Sequence, residues 1–373
     1  MKNICFVNSY ACLGGAEKSL QSLIIGFRNK GYQVTAVIGE DGPLREWLND
    51  EKIEHRIIPQ PSLKSGMGKY LFPINLLKFW FSMRIYLKSK NIDIVHVNTF
   101  RSRLYCSYLK KIYKCKLIAH VRDIEYSVFN QVLISKYDYT IAISKAVKES
   151  LVKDIKKVSE TNQKIKVIYN GVEETELILD QKIKNDIVQI AMFSRYDEWK
   201  CHHILIEAIK LMRDKYGRFP DNVIFKLYGA PIRETEKEYY AKIVRLVEQY
   251  GLINHVLFMG FCSDPLQHMQ NMDLIVCPSD NEPFGRVVIE AMSLKKLVFA
   301  SNNGGIKEIL GENFSELTFK PRDSNSLSML LINYLDHKSY YIEKYKDKLY
   351  EEYQSRFSMK QLIDKIDKLY KDE

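Results

Sequence analysis

The stretch that decides the fold runs from Leu274 to Met292: Leu-Ile-Val-Cys-Pro-Ser-Asp-Asn-Glu-Pro-Phe-Gly-Arg-Val-Val-Ile-Glu-Ala-Met. The apolar run at 274–277 predicts a buried strand, and the polar residues at 278–281 end it in a loop. A helix is expected to begin between Phe284 and Arg286. The first amides of a helix have no partner inside it, so they are available to an anion or a hydroxyl-rich ligand.

Two carboxylates belong to this unit: Glu282 precedes the helix and Glu290 lies inside it. An ionised carboxylate accepts paired hydrogen bonds from neighbouring hydroxyls, which suits the diols of a sugar ring and of a ribose. Spacing alone favours a simpler interpretation, an ordinary strand–loop–helix unit with solvated acids.

The residues around these acids carry a resemblance. Glu-Pro-Phe-Gly at 282–285, Glu-Ala-Met at 290–292, the apolar strand at 297–300 and Asn-Gly-Gly-Ile at 303–306 resemble the retaining glycosyltransferases of family four. The turn at 293–297 departs from that family because it lacks the usual Gly or Pro. The resemblance implies an α/β chain with the GT-B fold, in which two Rossmann-like domains face each other across a cleft and a C-terminal helix returns to the first domain.

Size and composition agree with two domains. The chain has 373 residues, 46% of them hydrophobic, which is too long for one ordinary core. The resemblance implies an acceptor domain at 1–175, a nucleotide-sugar donor domain at 186–354 and a helix at 355–373 that packs back on the first domain. The formal net charge of +10 favours anionic partners. The seven cysteines form no Cys-x-x-Cys pair, which indicates a reducing compartment and no zinc site.

The N-terminal segment predicts the opening of a parallel sheet. A strand at 4–8, a loop containing Gly14 and Gly15, a helix at 16–30 and a strand at 34–38 follow one another. Two adjacent glycines before a helix most often form a plain turn, but they also let amides approach a phosphate. Here they resemble the first phosphate-facing loop of the family.

Polar side chains follow two further predicted strands of this half. His96 and Asn98 end one strand, and His120 and Asp123 end the next. Ligands of open α/β sheets bind at the carboxyl ends of strands. A lone histidine is more often a satisfied structural group, but His120 resembles the acceptor-side histidine of the family and is a candidate to contact the transferred sugar or the acceptor.

Two cations lie in the loop after the strand predicted at 187–193. Arg195 and Lys200 could neutralise a nucleotide diphosphate and support its departure, although two solvated bases are the simpler interpretation. The loop resembles the family's Gly-Arg-x-x-x-x-Lys-Gly element, with Ser194 and Cys201 where glycines are usual.

The resemblance also implies roles for the other site residues. Glu282 would hold hydroxyls of the donor sugar and Glu290 those of the ribose, while departure of the diphosphate is assisted by the leaving phosphate itself, with retention at the anomeric carbon. No metal or cofactor is expected, and a UDP-sugar is the first expectation for the donor. The donor-binding residues expected from the resemblance are Gly14, Gly15, Gly229, Gly260, Phe261, Phe284, Gly285 and Glu290.

A membrane contact is a further expectation. The segments at 71–90 and 101–116 are rich in bases, and the first also carries aromatics. Packing of the apolar face on the sheet is the simpler interpretation of the first segment, and contact with anionic lipid is the functional one. We find no secretory signal and no membrane span, and expect a cytoplasmic protein, peripheral at the inner face of the membrane.

The predicted function is transfer of a sugar from a nucleotide-diphosphate sugar to a glycan or lipid-linked acceptor in cell-surface polysaccharide synthesis. A sugar-nucleotide epimerase of the same fold and a non-catalytic partner protein remain as alternatives. A nucleic-acid binder would need a recognisable binding module with clustered bases, and none is evident, so nucleic acid is not an expected partner.

Overall fold

The structure, a computed structural model, describes residues 2–12, 14–60, 68–126, 130–153, 162–175, 187–217, 220 and 222–372. Of the segment expected to link the two domains, about 173–185, residues 176–185 lie outside the described residues.

Parallel strands alternate with helices along most of the chain. The strands are β1 (Asn3–Asn8), β2 (Gln33–Ile38), β3 (Glu54–Ile57), β4 (Ile94–Val97), β5 (Lys116–Val121), β6 (Tyr139–Ala142), β7 (Ile165–Val167), β8 (Val188–Phe193), β9 (Val223–Tyr228), β10 (Val256–Gly260), β11 (Leu274–Cys277), β12 (Leu297–Ser301) and β13 (Thr318–Phe319). The α-helices are α1 (Gly15–Asn29), α2 (Pro43–Asp50), α3 (Gly68–Ser89), α4 (Phe100–Cys106), α5 (Asn130–Lys136), α6 (Lys145–Val152), α7 (His202–Tyr216), α8 (Glu234–Gln249), α9 (Pro265–Gln270), α10 (Arg286–Ser293), α11 (Gly304–Leu310), α12 (Ser324–Asp336), α13 (Lys338–Glu352) and α14 (Met359–Lys371).

The chain divides into two units. The first combines Met1–Gly171 with Met359–Glu373, and the second is Val172–Ser358. The C-terminal helix expected at 355–373 begins at Met359. The preceding turn, Tyr353–Phe357, is π-helical and belongs to the second unit, where Phe357 O accepts a hydrogen bond from Val172 N at 3.1 Å.

The first unit is built on a seven-stranded parallel sheet in the order β3-β2-β1-β4-β5-β6-β7. Successive residues of a strand point to opposite faces, so a buried strand supplies two cores. In β1, Ile4 and Phe6 enter the core that contains α1 and α14, whereas Cys5 and Val7 enter the core that contains α3.

Helix α14 completes the first of these cores. Ile366 and Tyr370 are fully buried in it. A Cβ added at Gly26 of α1 would lie 2.6 Å from Ile363, so the glycine is what allows the two helices to pack this closely. The last helix therefore packs in the first unit, as the sequence predicts.

The second unit has a six-stranded parallel sheet in the order β10-β9-β8-β11-β12-β13. In each sheet the strand order reverses once: between β1 and β4 in the first unit, and between β8 and β11 in the second. Loops that leave the carboxyl ends of such a strand pair diverge and leave a crevice, where α/β proteins bind ligands.

Candidate active site

The crevice of the second unit brings together one predicted cation and one predicted acid. Lys200 lies in the loop after β8 and Glu282 in the loop after β11. Asp280 N donates to Trp199 O at 2.7 Å, which holds the two loops side by side. Lys200 Nζ consequently lies 2.7 Å from Glu282 Oε2. The structure therefore brings one predicted cation and one predicted acid of these loops together.

The Lys200–Glu282 pair is largely screened from water. The side chains are 14% and 12% exposed, and Lys200 Nζ also lies 4.0 Å from the centroid of the Trp199 ring. An ion pair this shielded is stronger than a surface pair, which contributes little. The ammonium keeps further donors and the carboxylate a second oxygen, so both groups can bind a ligand without separating.

The loop of Glu282 is fixed by the two glycines that follow β12. Gly305 N donates to Glu282 O at 2.8 Å. A Cβ at Gly304, whose φ is +51°, would lie 2.4 Å from the same oxygen. The Gly-Gly pair of the sequence signature is therefore required by the close approach of these two loops.

Arg195 lies in a separate charge cluster. Its guanidinium contacts Asp197 at 3.0 Å and the buried Glu236 at 3.8 Å, and Arg233 contacts the same two acids. Within the described residues no ion pair joins Arg195 to Glu282. Two cations facing two acids still leave Arg195 half-exposed, so its charge is available to an anion.

Glu290 is held by the helix that carries it. Arg286 Nε donates to Glu290 Oε1 at 2.6 Å across one turn of α10. Helix α10 starts at the predicted position, with the buried Phe284 before it and Gly285 as its N-cap at φ +108°. Within the described residues no ion pair joins Glu290 to the Lys200–Glu282 pair.

The remaining donor-side positions lie at the same edge of this sheet. Gly229 follows β9 and Gly260 ends β10, and Gly229 N donates to Gly260 O at 2.8 Å. Gly229 has φ +149°, and a Cβ there would lie 2.0 Å from Ser194 O. Phe261 is 72% exposed, so its ring is free to cover a ligand.

The first unit contains a cavity of about 470 Å³ at its own crevice, between β1 and β4. Residues after β1, β4 and β5 line it, together with the first turns of α1 and α4. Both aromatic and charged side chains line it. The lining includes Tyr10, Glu17, Asn98, Phe100, Arg101, Tyr105, His120, Arg122, Asp123 and Glu125.

The glycine pair of the first unit has a defined local role. Gly14 is the N-cap of α1, and its amide donates to Glu17 Oε2 at 3.1 Å. A Cβ at Gly15 would meet nothing within 4 Å. Glu17, which sequence reasoning missed, is buried and also accepts from Asn8 Nδ2 at 3.4 Å. A glutamate three residues after the cap, which is the acidic half of a capping box, is the signal that would have found it.

His120 ends a chain of buried polar groups. Its Nδ1 lies 3.0 Å from Nε2 of His96, whose Nδ1 lies 2.6 Å from the hydroxyl of Tyr370 in α14. Arg122 Nη2 approaches the same Nδ1 of His120 at 3.4 Å. The Nε2 atom of His120 is buried and has no partner within the described residues, and His120 lines the cavity.

Both histidines are held neutral. Burial, followed by the Arg122 cation, lowers the pKa of His96 to about 3. Burial and then the charge of Arg122 also lower the pKa of His120 well below its usual value. Neutral imidazole carries one N–H and one lone pair, so each ring acts as one donor and one acceptor.

Two family profiles match the chain. Residues 13–176 match "Glycosyltransferase Family 4" and residues 173–356 match "Glycosyl transferases group 1". The chain belongs to the family-four glycosyltransferases. The matches meet at 173–176, close to the boundary between the two units at Gly171 and Val172.

Individual relatives agree with this family-four assignment. The capsular polysaccharide biosynthesis glycosyltransferase CapH of Staphylococcus aureus is 22% identical over 88% of this chain and 90% of its own. Among solved structures, HepE of Anabaena in complex with UDP and glucose superposes with a TM-score of 0.80 at 23% identity, over 100% of both chains. A glycosyltransferase of Rickettsia africae superposes with a TM-score of 0.84 at 21% identity, over 100% of this chain and 98% of its own. The fold of this family-four glycosyltransferase is GT-B, with the α/β architecture that the sequence predicts.

Two properties of the described residues add to this picture. They contain no group of three or more His, Cys, Asp or Glu side chains placed to hold a metal ion. None of the described helices combines the length and apolar content that crossing a bilayer requires. The family assignment leaves the epimerase and the non-catalytic partner without support.

Proposed function

We propose that this family-four glycosyltransferase transfers a sugar, with retention of anomeric configuration, from a nucleotide-diphosphate sugar to a glycan or lipid-linked acceptor. The observation that carries the proposal is the shielded Lys200–Glu282 pair at the strand-order reversal of the second unit, 2.7 Å between charged atoms. The Lys200 cation suits the anionic diphosphate of a nucleotide sugar, and the neighbouring Glu282 carboxylate can accept hydrogen bonds from the hydroxyls of its sugar.

Breaking the anomeric bond develops negative charge on the diphosphate and positive charge on the sugar. Lys200 would stabilise the phosphate through the ammonium N–H groups that are not bonded to Glu282. The half-exposed Arg195 would add a second cation. Fixed charges placed where charge develops contribute strongly to catalysis because they need no reorganisation. Glu282 would accept from donor-sugar hydroxyls through its second oxygen.

The other donor-side residues would bind the nucleotide. Glu290 would accept from the ribose hydroxyls, with Arg286 fixing its orientation. Amides at Phe284 and Gly285 would approach the phosphates. The backbone near Gly229 and Gly260 and the exposed ring of Phe261 would flank the base.

We propose that departure is assisted by the leaving phosphate and that no divalent cation takes part, because Lys200 and Arg195 supply the positive charge. Product analysis by NMR of the anomeric proton tests retention, and an inverted product rejects it. Transfer rates should be equal with and without a chelator, and loss of transfer on chelation, restored by added magnesium, would contradict the metal-free proposal.

The donor is proposed to be a UDP-sugar, which is supported by HepE, solved with UDP and glucose. A ligand that binds only the folded protein raises its melting temperature. A thermal-shift panel of UDP-, GDP-, ADP- and dTDP-sugars should give the largest shift with a UDP-sugar. A larger shift with another nucleotide would correct the base, and no shift with any of them would reject the donor class.

We propose that the acceptor is an intermediate of cell-surface polysaccharide synthesis. The relative CapH, named as a capsular polysaccharide biosynthesis glycosyltransferase, supports this. The cavity of about 470 Å³ in the first unit is the candidate acceptor pocket, and its aromatic lining suits a saccharide. Incubation of the donor with and without an acceptor extract distinguishes transfer from epimerisation, since an epimerase alters the donor alone.

We also propose that the protein sits peripherally on the cytoplasmic face of an anionic membrane through helix α3. One face of α3 packs in the core as the simpler interpretation expects, with Phe79 and Met83 buried. A second apolar face points to solvent. Its residues, separated by three, four and four positions and 46% to 64% exposed, are Ile74, Leu77, Phe81 and Ile85.

Bases and interfacial aromatics border this stripe. Lys78, Arg84 and Lys88 are exposed on α3. The rings of Trp80 and Tyr108 lie 5.8 Å apart, and Lys111 and Lys136 lie over the Tyr108 ring. Aromatic residues at the headgroup level, bases beside them and an apolar stripe below suit the surface of an anionic bilayer.

Co-sedimentation with vesicles containing phosphatidylglycerol tests this contact. Replacing Leu77 and Phe81 with Gln should weaken binding about tenfold or more, since each exposed side chain would otherwise bury apolar area in lipid. Replacing Ile232 and Met329, which are 69% and 67% exposed in the second unit, with Gln is the matched control. Binding that is insensitive to both salt and the α3 substitutions would reject the proposal.

A further inference from the structure

The hydrogen bonds that end at His120 run through the first unit to its last helix. Tyr370 OH, His96 and His120 are joined at 2.6 Å and 3.0 Å, and all three side chains are buried. Each imidazole is neutral, so a proton placed at one end of this chain determines the position of every other proton. Only two arrangements are available, one with donation from Tyr370 toward His120 and one in reverse.

The His120 end favours donation toward His120. Arg122 always carries donors, and its Nη2 lies 3.4 Å from His120 Nδ1. Its guanidinium is fixed there, because Nε donates to Asn98 at 2.6 Å and Nη1 to Asn170 at 2.9 Å. A lone pair on His120 Nδ1 is attracted to this cation, whereas an N–H at that atom would face another N–H. His120 Nδ1 is therefore the acceptor of the bond from His96 Nε2–H.

The Tyr370 end favours the same direction. His96 Nδ1 is the one partner of the Tyr370 hydroxyl within the described residues. If His96 Nδ1 carried the proton, the buried O–H of Tyr370 would have no acceptor, and an unsatisfied buried donor is unfavourable. When Tyr370 donates, the lone pair of His96 Nδ1 accepts, so the single proton of the neutral His96 ring lies on Nε2.

We propose that Tyr370 and His96 are positioning residues that hold His120 as the Nε2–H tautomer, which donates a hydrogen bond to an oxygen of the saccharide bound in the cavity of the first unit. The unpartnered Nε2 of His120 is the free end of the chain. The direction of these hydrogen bonds follows from the contacts together with the neutrality of both rings. The identity of the ligand as a saccharide rests on the proposed function.

The tautomers can be read directly by NMR of the full-length protein labelled with ¹⁵N-histidine. A lone-pair imidazole nitrogen and an N–H nitrogen resonate far apart, and His96→Gln and His120→Gln assign the signals among the eight histidines of the chain. Both His96 and His120 should appear as neutral Nε2–H tautomers at pH 7. An Nδ1–H tautomer at either ring, or a charged ring, would overturn the proposal.

Tyr370→Phe tests the positioning role. It removes the first donor of the chain, so the His96 Nδ1 signal should move and kcat/KM should fall about five- to tenfold, the effect of losing one hydrogen bond. Tyr32→Phe is the matched control, because Tyr32 donates to Asp367 of the same helix outside the histidine chain. It should leave the histidine spectrum unchanged and kcat/KM within twofold. Equal spectra and equal rates in both variants would reject a role for Tyr370.

These readouts separate the inference from the function on which it rests. Correct tautomers without transfer from any nucleotide sugar would reject the proposed function and keep the proton arrangement. Normal transfer with the opposite tautomer would reject the arrangement and keep the function.

Discussion

Replacing Lys200 with Ala should abolish most of the turnover while leaving the protein folded. Lys200 Nζ is 2.7 Å from Glu282 Oε2 and is the shielded cation of the crevice in the second unit. Removing one donor that stabilises developing charge costs about 3 kcal/mol of barrier, or roughly a hundredfold in kcat. Steady-state kinetics with saturating donor measures this directly.

The same substitution also has a price in stability that must be separated from the chemistry. Breaking a fully buried ion pair costs about 3–5 kcal/mol, and this pair is 14% and 12% exposed, so about 2 kcal/mol is expected. Lys338→Ala is the matched control. Lys338 Nζ pairs with Asp273 Oδ1 at 3.0 Å, and Asp273 immediately precedes β11, at the opposite edge of the same sheet.

Chemical denaturation, followed by circular dichroism, should show a loss of unfolding free energy in both variants, smaller for Lys338→Ala because Lys338 is 34% exposed. Only Lys200→Ala should lose turnover. Turnover of Lys200→Ala within fivefold of the parent protein would refute the assignment of Lys200 to the diphosphate. Equal losses of turnover in both variants would attribute the effect to folding.

Three further outcomes follow from the geometry. The pKa values of His96 and His120 are low in the folded state and about 6.5 in the unfolded chain, so the free energy of unfolding is full above pH 6.5 and decreases below it. Hydrogen exchange of the β4 and β5 amides should show a loss of about 1.3 kcal/mol per histidine between pH 7 and 5.5. An unchanged protection free energy would contradict this. Gly229→Ala should destabilise the protein by about 2 kcal/mol or more, because its Cβ would lie 2.0 Å from Ser194 O and the residue has a positive φ. An unchanged midpoint of unfolding in a denaturant titration would exclude this strain. Cys201→Gly should raise the melting temperature, since Cys201 has φ +57° and relief of that strain stabilises by about 1 kcal/mol; a lower melting temperature would show that packing of the thiol matters more.

Local sequence patterns predict the alternation of elements and miss some boundaries. The apolar runs gave β1, β8 and β11, and the start of α10 lies where the sequence predicts it. The start of helix α8 at Glu234 has no Ser, Thr, Asp or Asn before it, because Arg233 is the cap residue and its amide donates to Glu236 instead. The short helices α2, α4 and α5 give too few turns for a periodic pattern.

Contacts between distant residues are what the sequence cannot supply. Lys200 and Glu282 are 82 residues apart, and Tyr370 and His96 are 274 apart. The family resemblance put Lys200 and Glu282 in one site, but nothing local indicated Tyr370. The separate ion pairs of Arg195 and Glu290 were equally invisible, and their convergence on one donor with the Lys200–Glu282 pair stays a prediction.

Helix α14 has a consequence for biosynthesis. Leu362, Ile366 and Tyr370 fill a core otherwise made by residues 4–168, so the apolar faces of α1 and β1 lack their cover until residue 371 has left the ribosome. Domains usually complete their folding in the order of translation. Here the second unit, Val172–Ser358, is fully synthesised before the first unit has its last helix. The apolar surface that α14 covers therefore stays exposed in the nascent N-terminal half for roughly half the synthesis time.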